Sequence, residues 1–166
     1  MLARDIATSR VVVVGPEQSL MIASQLMDQH LIGSLVVVHA EGSHQIPVGI
    51  ITDRDASRLA VAGKLDAAAT TVGAVMSHPP ILCPHDASLV DIICMMHGSG
   101  IRRLPVVDDH GHLVGIVTAN DALVALTQLM QQLTEVLVIE PSLKDRMNAM
   151  QNLCEACDGH RASRES

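Results

Sequence analysis

The 166-residue chain contains no phenylalanine, tyrosine or tryptophan. Proteins that bind single-stranded nucleic acid without sequence preference stack the bases on aromatic rings, so this mode of binding is excluded. Any planar ligand would have to be held between aliphatic groups instead. Apolar residues still make up 48% of the chain, and that fraction is sufficient to form a buried core.

Basic residues are also few. The 11 lysines and arginines are scattered and are outnumbered by 18 acidic residues, so the basic face typical of nucleic-acid-binding proteins is not expected. No uncharged apolar run approaches the roughly 18–20 residues that a membrane span requires. The first ten residues, MLARDIATSR, lack the apolar segment of a signal peptide. We therefore expect a cytoplasmic protein that binds neither nucleic acid nor membrane.

Cysteine is too sparse for a disulfide framework. The chain has four cysteines, at positions 83, 94, 154 and 157, and their number and spacing fit a reducing compartment. Cys83 and Cys94 lie in apolar runs, which predicts that both are buried core thiols.

The sequence repeats itself. The pair Ser19-Leu20 recurs 69 residues later as Ser88-Leu89, and the heptapeptide GIITDRD at 49–55 recurs 66 residues later as GIVTAND at 115–121. The difference of three residues falls in a predicted turn, where insertions are tolerated. The chain therefore consists of two similar copies in tandem.

Each copy is predicted to fold in the order β-α-β-β-α, an α/β (α+β) class. A short apolar run precedes a helix with apolar residues at helical spacing, and two β-rich runs joined by a turn follow. A second helix begins near Asp55 in the first copy and near Asp121 in the second. A copy of about 60 residues buries little core alone, so we expect the two copies to pack on each other.

The shared motif is Gly-apolar-apolar-Thr-x-x-Asp. In one interpretation Thr52 and Thr118 are helix N-caps, and Asp55 and Asp121 complete a capping box. In the other, the carboxylate accepts hydrogen bonds from a pair of neighbouring hydroxyls such as a ribose presents. The two interpretations are compatible because a carboxylate has several lone pairs.

The motif and its surroundings resemble the CBS domain. The pattern Leu-Pro-Val-Val-Asp…Leu-Val-Gly-Ile-Val-Thr-x-x-Asp at 104–121 is similar to the core CBS signature, and Val-Met-Ser-His-Pro-Pro at 75–80 is similar to the start of a second such domain. The two copies cover about residues 5–128. The resemblance implies two CBS repeats, at 1–66 and 67–134, related by pseudo-two-fold symmetry. A C-terminal helix and polar tail would follow at 135–166.

The resemblance also implies a ligand: AMP, ADP, ATP or S-adenosylmethionine. Asp55 and Asp121 would hold the ribose of each ligand, and the facing wall would come from the start of the other copy. The expected first site contains Ile50, Thr52, Asp55, Ser77 and Ile81, and the second contains Arg10, Val12, Ile116, Thr118 and Asp121.

Two arginines suggest an asymmetry between these sites. Arg102 and Arg103 precede the central strand of copy two, where the family often carries phosphate-binding residues, so we expect them to bind phosphate at the Asp121 site. Copy one has Gly33 and Ser34 instead. In the alternative interpretation, one arginine is a solvated surface charge and the other pairs with a nearby acid such as Asp108.

Other candidate chemistry is weak. His110 and His112 are the only closely spaced histidines, and they lie in a predicted turn. Cys154 and Cys157 resemble half a zinc site, but a second pair of ligands is missing; a helix with a heptad seam over 143–157 is the alternative. No catalytic set of side chains and no phosphate-binding glycine loop is recognisable, so we do not expect an enzyme.

The expected function is a ligand-sensing regulatory module. It would signal to a partner protein and form a homodimer through the apolar helix that contains residues Ala122, Leu123, Leu126, Leu129, Met130 and Leu133. The alternative is a structural dimerisation module in which the Thr-x-x-Asp motifs only cap helices.

Overall fold

A computed structural model describes residues 1–61 and 66–139 of the chain. It divides into one unit at residues 1–125 and a second that begins at Leu126. The predicted heptad helix at 143–157 and the polar tail lie outside the described residues. Among the residues described, no helix has the length and apolar composition needed to cross a membrane.

The helices and strands follow the predicted β-α-β-β-α order twice. In repeat 1 the elements are α1 (Ala3–Ile6), β1 (Val13–Val14), α2 (Leu20–His30), β2 (Ser34–Glu41), β3 (His44–Thr52) and α3 (Asp53–Val61). In repeat 2 they are a short 3-10 turn (Val72–Ala74), β4 (Cys83–Pro84), α4 (Leu89–Ser99), β5 (Arg103–Val107), β6 (Leu113–Thr118) and α5 (Ala119–Ile139). Neither α1 nor the 3-10 turn was predicted, because a single helical turn carries no periodic signal.

Each repeat contains one three-stranded sheet. The strand orders are β1-β2-β3 and β4-β5-β6, with the first pair parallel and the second antiparallel in both sheets. Val36 pairs with Ile50 in repeat 1, and Pro105 pairs with Ile116 at the same place in repeat 2. The two sheets therefore match in register as well as in order.

The helices α2 and α4 cover these sheets with the faces that their spacing predicted. Ser19 and Ser88 cap their N-termini. The buried residues are Leu20, Ala23 and Met27 in α2, and Leu89, Ile92 and Met96 in α4. Cys94 falls on the opposite side of α4 and is exposed, so the prediction that it is a core thiol was wrong, whereas Cys83 is fully buried.

The start of each copy belongs structurally to the other repeat. We call residues 2–12 and 71–81, which correspond at the offset of 69, the leading segments. Isolated β-bridges join Leu2 to Ser88 and Thr8 to Ile116, and equivalent bridges join Thr71 to Ser19 and Ser77 to Ile50. The exchange is mutual, as pseudo-two-fold symmetry requires.

Two equivalent residues anchor the exchange. The amide of Ala3 donates to the carbonyl of Ala87, and the amide of Val72 donates to the carbonyl of Gln18, both at 2.8 Å. Ala3 lies fully buried in the core of repeat 2, and Val72 lies fully buried in the core of repeat 1. Each repeat thus completes the hydrophobic core of the other.

Strand alternation gives each sheet a second buried face. Leu104 and Val106 point into the core of repeat 2, so Arg103 and Pro105 point the opposite way. Pro105 is nevertheless fully buried, because this face meets the sheet of repeat 1 through contacts between β3 and β6. The space between the repeats is therefore lined by every second residue of the central strands.

Candidate functional site

Two clefts lie between the repeats. The first, which we call the Thr52 cleft, has a volume of about 250 Å³, and the second, the Thr118 cleft, about 290 Å³. The Thr52 cleft is lined by Ile50, Thr52, Ser77, Pro79, Pro80, Ile81, Ile101, Arg102 and Arg103. The Thr118 cleft is lined by Thr8, Arg10, Val11, Val12, Ile32, Gly33, Ser34, Val36, Arg103, Ile116 and Thr118. Both volumes lie just below the usual range for small-molecule pockets, which begins at about 300 Å³.

The glycine of each motif allows the leading segment to form the wall of the cleft. Ile50 and Ser77 exchange backbone hydrogen bonds of 2.9 and 3.1 Å across the Thr52 cleft. A Cβ at Gly49 would lie 3.1 Å from the Ser77 carbonyl oxygen and would clash with the Met76 side chain. Gly115 approaches the other leading segment equally closely, with a Cβ position 3.2 Å from the Thr8 carbonyl oxygen. Glycine is therefore needed at both positions for a steric reason, because a side chain there would push the leading segment away from the strand.

The Thr-x-x-Asp motifs form the predicted capping boxes. Asp121 Oδ2 accepts hydrogen bonds from the Thr118 amide at 2.8 Å and the Thr118 hydroxyl at 2.7 Å. Asp55 Oδ2 accepts the equivalent bonds from Thr52 at 3.0 and 2.7 Å. Within the described residues, Oδ1 of each aspartate accepts no hydrogen bond, so capping leaves half of each carboxylate available. Neither aspartate lines a cleft wall.

Most of the other predicted site residues come together as expected. Ile50, Thr52, Ser77 and Ile81 share the Thr52 cleft. Arg10, Val12, Ile116 and Thr118 share the Thr118 cleft. The sequence reasoning missed Thr8, which bridges to Ile116 as Ser77 bridges to Ile50. Subtracting the repeat offset of 69 from Ser77 would have identified it.

The two adjacent arginines are placed differently from the prediction. Arg102 lines the Thr52 cleft and does not line the Thr118 cleft, whereas Arg103 lines both. Gly33 and Ser34, which were expected at the Asp55 site, line the Thr118 cleft. The predicted pairing of Arg102 with the Asp121 site was therefore wrong. Its cause is the packing between the sheets, which directs the residues before a central strand toward the other repeat.

The arginines in both clefts form no ion pair among the described residues, although Arg103 Nη2 and Asp53 Oδ2 lie 3.4 and 3.3 Å from the same point, the Cβ position at Gly33. Within the described residues, the side chains of Arg10, Arg102 and Arg103 make no ion pair and no hydrogen bond. Asp108, the partner considered above, accepts hydrogen bonds from the backbone amides of His110 and His112 instead. The bond from the His112 amide is the largest cause of a lowered pKa of the Asp108 carboxyl, and the His112 imidazole, whose Nδ1 lies 3.3 Å from Asp108 Oδ2, lowers it further. The alternative in which an arginine pairs with Asp108 is therefore wrong.

The two clefts thus share one chemistry. Each is lined by aliphatic residues that include isoleucine, by one or two threonines and by two arginines. An aliphatic slot can hold a flat apolar group, and guanidinium groups bind phosphate or carboxylate oxygens. Both clefts are therefore suited to a ligand with a planar end and an anionic end.

A profile of the CBS domain matches the chain twice, over residues 3–62 and 72–128. This chain belongs to the CBS-domain family. An uncharacterized protein of Methanopyrus kandleri is 34% identical over 119 residues, which are 72% of this chain and 59% of that protein. Hypoxic response protein 1 of Mycobacterium tuberculosis is also 34% identical over 119 residues, which are 80% of that protein. Inosine-5′-monophosphate dehydrogenase of Thermoplasma acidophilum is 31% identical over 121 residues, only 22% of that enzyme.

Solved structures of CBS-domain pairs have the same fold. CBSX2 of Arabidopsis thaliana in complex with AMP has a TM-score of 0.66 and 27% identity, over 78% of this chain and 98% of that one. The CBS domain pair of protein MJ0100, in complex with 5′-methylthioadenosine and S-adenosyl-L-methionine, has a TM-score of 0.65 and 27% identity, over 80% and 97%. These similarities confirm the predicted tandem CBS fold.

A third solved relative contains metal. The crystal structure of Hypoxic Response Protein I with two coordinated zinc ions has a TM-score of 0.63 and 32% identity, over 73% of this chain and 95% of that one. In this chain no group of three or more metal-ligating side chains is assembled among residues 1–61 and 66–139. Cys154 and Cys157 lie outside those ranges.

Proposed function

We propose that this CBS-domain pair is a regulatory module that binds an adenine nucleotide or S-adenosylmethionine in the two clefts between its repeats. The observation that carries the proposal is the pairing, in each cleft, of an aliphatic slot with unpaired arginines. The aliphatic slot suits the planar adenine base, because the chain has no aromatic residue on which the base could stack. The arginines suit the phosphates of AMP, ADP or ATP, or the carboxylate of S-adenosylmethionine.

The ribose is assigned to Asp55 and Asp121 in this proposal. Each carboxylate is held rigidly by its threonine, and its Oδ1 has no partner among the described residues. A ribose that enters a cleft beside Thr52 or Thr118 would present two hydroxyls to that oxygen. The capping box then orients the carboxylate without consuming it. The solved CBS pairs that bind AMP and S-adenosyl-L-methionine support an adenosyl ligand.

We propose further that the module is not itself an enzyme and signals to a partner protein. Both clefts have binding chemistry, but in the part of the chain that the structure describes no cysteine, histidine or carboxylate lines either wall. The match to inosine-5′-monophosphate dehydrogenase supports this proposal, because it covers only 22% of that enzyme and leaves most of the enzyme unmatched. Occupancy of a cleft would act by changing how the two repeats pack.

Ligand binding is tested by thermal melting and calorimetry. A ligand at about 100 times its Kd adds about 2.7 kcal/mol to the free energy of unfolding, so AMP, ADP, ATP or S-adenosylmethionine should raise the melting temperature. Asp55→Asn/Asp121→Asn should weaken adenosine and AMP alike. The matched control is Asp91→Asn, which alters a capping box remote from the clefts. Absence of a shift and of binding heat with all four ligands at millimolar concentration would overturn the proposal.

The rival function is a structural dimerisation module, and one observation favours it. The capping boxes alone account for the presence of threonine and aspartate in both motifs. They do not account for the three arginines that line the clefts and have no hydrogen bond or ion pair among the described residues. Under the rival function none of the four ligands would bind, and Arg10→Ala/Arg102→Ala would leave stability unchanged or raise it through reduced charge repulsion.

For the assembly we propose a homodimer formed through the apolar helix. The expectation that Ala122 belongs to this surface is wrong, because Ala122 is buried in the core of repeat 2. In the second unit, however, α5 exposes Leu126, Leu129, Met130, Leu133, Val136 and Leu137, at 40–64% each. This spacing forms one helical face, which a second copy can cover symmetrically.

Light scattering at about 100 µM tests the assembly. A dimer is expected for the unmodified chain, because an apolar face of this size is unfavourable in water. Leu129→Glu/Leu133→Glu should give a monomer, and Gln132→Glu, an exposed change on the same helix, should not. A monomeric unmodified chain would contradict the proposal.

A further inference from the structure

Arg103 occupies a position that no other charged residue of the clefts shares. Arg102 lines only the Thr52 cleft and Arg10 lines only the Thr118 cleft, whereas Arg103 lines both. Its side chain starts from β5 on the face that meets the other repeat. Two ligand sites therefore have one private arginine each and one arginine in common.

The surroundings of Arg103 leave it free to serve either cleft. It is partly buried, and it has no ion pair or hydrogen bond among the described residues. Its Nη2 lies 3.4 Å from the position that a Cβ would occupy at Gly33, on the wall of the Thr118 cleft. The absence of a side chain at Gly33 leaves this approach open. The carboxylate of Asp53 lies beside the same position, with Oδ2 at 3.3 Å from it, but forms no ion pair with Arg103 in the described part of the chain.

We propose that the two clefts compete for Arg103, so that a phosphate bound in one cleft weakens phosphate binding in the other. This inference rests on the proposed function. A guanidinium binds a phosphate best through two parallel N–H bonds, and one fork cannot make that contact with two phosphates at once. The first nucleotide therefore binds with two arginines and the second with only its private arginine. A charge-assisted bond of this kind changes affinity by about tenfold or more.

The competition has a consequence for which ligands bind together. A ligand that carries no phosphate does not recruit Arg103, so adenosine in one cleft should leave AMP binding in the other unchanged. The structure therefore favours mixed occupancy, with one nucleotide and one ligand without a phosphate, over two nucleotides at moderate concentration.

The absence of native aromatic residues makes each cleft separately observable. Ile81→Trp places the only tryptophan of the chain on the wall of the Thr52 cleft, and Val11→Trp does so for the Thr118 cleft. The emission of each variant then reports AMP binding at one cleft alone. Calorimetry on the chain without tryptophan controls for any effect of the probe on affinity.

The decisive experiment combines these probes with the private arginines. With Arg103 present, AMP titration should show an early and a late phase, at least about tenfold apart in concentration. Arg10→Ala weakens the Thr118 cleft, so Arg103 becomes available and the late phase at the Thr52 probe should disappear. Arg102→Ala should have the reciprocal effect at the Thr118 probe. Independent clefts predict no change at the remote probe in either case.

Arg103→Ala and Arg103→Lys complete the test. Both should weaken AMP at both clefts, and with Arg103→Ala the private variants should no longer affect the remote probe. If the clefts instead interact by simple repulsion between two bound phosphates, Arg103→Ala should increase the effect of one cleft on the other, because it removes a cation near both phosphates. Arg103→Lys keeps the charge and guards against a folding defect, which far-UV circular dichroism would reveal. AMP that binds both clefts independently would overturn this inference alone, whereas no binding of any adenosyl ligand would overturn the proposed function with it.

Discussion

Val72→Ala tests the exchange of leading segments most directly. By sequence Val72 belongs to the second copy, but its side chain is fully buried in the core of repeat 1. The change removes two methyl groups, at about 0.8 kcal/mol each, and the cavity left behind raises the cost to about 2–3 kcal/mol. Its counterpart at the repeat offset is Ala3, so the variant makes the two leading segments alike at this position.

Urea unfolding followed by far-UV circular dichroism measures the loss. The midpoint should fall without a change of slope, because the surface exposed on unfolding stays the same. Hydrogen exchange then locates the effect: amides of α2, β2 and β3 should lose protection before those of α4 and β5. The matched control is Val90→Ala, the same change at a site that is 68% exposed. Equal costs for the two variants, or lost protection centred on repeat 2, would refute the exchanged arrangement.

Four further predictions concern α4 and the thiols. Burial, with smaller contributions from nearby carboxylates, raises the pKa of the Cys83 thiol to about 11. Native Cys83 therefore keeps its proton at a pH where the thiol of the unfolded chain, with a pKa near 9, loses it. The free energy of unfolding should fall as pH rises from about 9 to about 11, and Cys83→Ala should remove this dependence. At pH 8, mass spectrometry should find Cys94 alkylated and Cys83 protected. Ser88→Ala should lower the free energy of unfolding by about 0.5–2 kcal/mol. Because hydrogen bonds from Ser88 lower the pKa of Asp91, this contribution is present at neutral pH, and the difference from wild type should shrink as pH falls through that lowered pKa. Gly98→Ala, within α4 and with no atom within 4 Å of its Cβ position, should raise the free energy of unfolding by about 0.5–1 kcal/mol, and a loss of stability there would contradict the helix geometry.

Local pattern and repetition were sufficient to predict the fold. Helical spacing identified the buried face of α2 and α4, and the offset between the copies aligned their strands. The Thr-x-x-Asp spacing predicted the capping at Asp55 and Asp121, because all its partners lie within one turn of chain. The capping and helix-face predictions were correct because the residues that make these contacts lie close together in sequence.

Features that depend on how the repeats pack were not predictable in this way. The sequence shows that Arg102 and Arg103 precede β5, but not which cleft that end of the strand faces. The contact between β3 and β6, which joins residues far apart in sequence, determines which cleft the start of β5 faces. The prediction for Cys94 failed for a different reason: it was based on the apolar run alone, whereas the helical spacing of Leu89, Ile92 and Met96 places Cys94 on the other side of α4.

The exchanged leading segments also bear on how such a chain could arise. One β-α-β-β-α unit with its own leading segment could make these contacts only by swapping that segment with a second molecule. Joining two units in one polypeptide turns that bimolecular association into an intramolecular one, whose effective concentration is set by the connector and not by abundance. Both clefts, each lined by residues of the two repeats, then form within a single chain. Tandem duplication thereby frees ligand binding from the concentration of the chain.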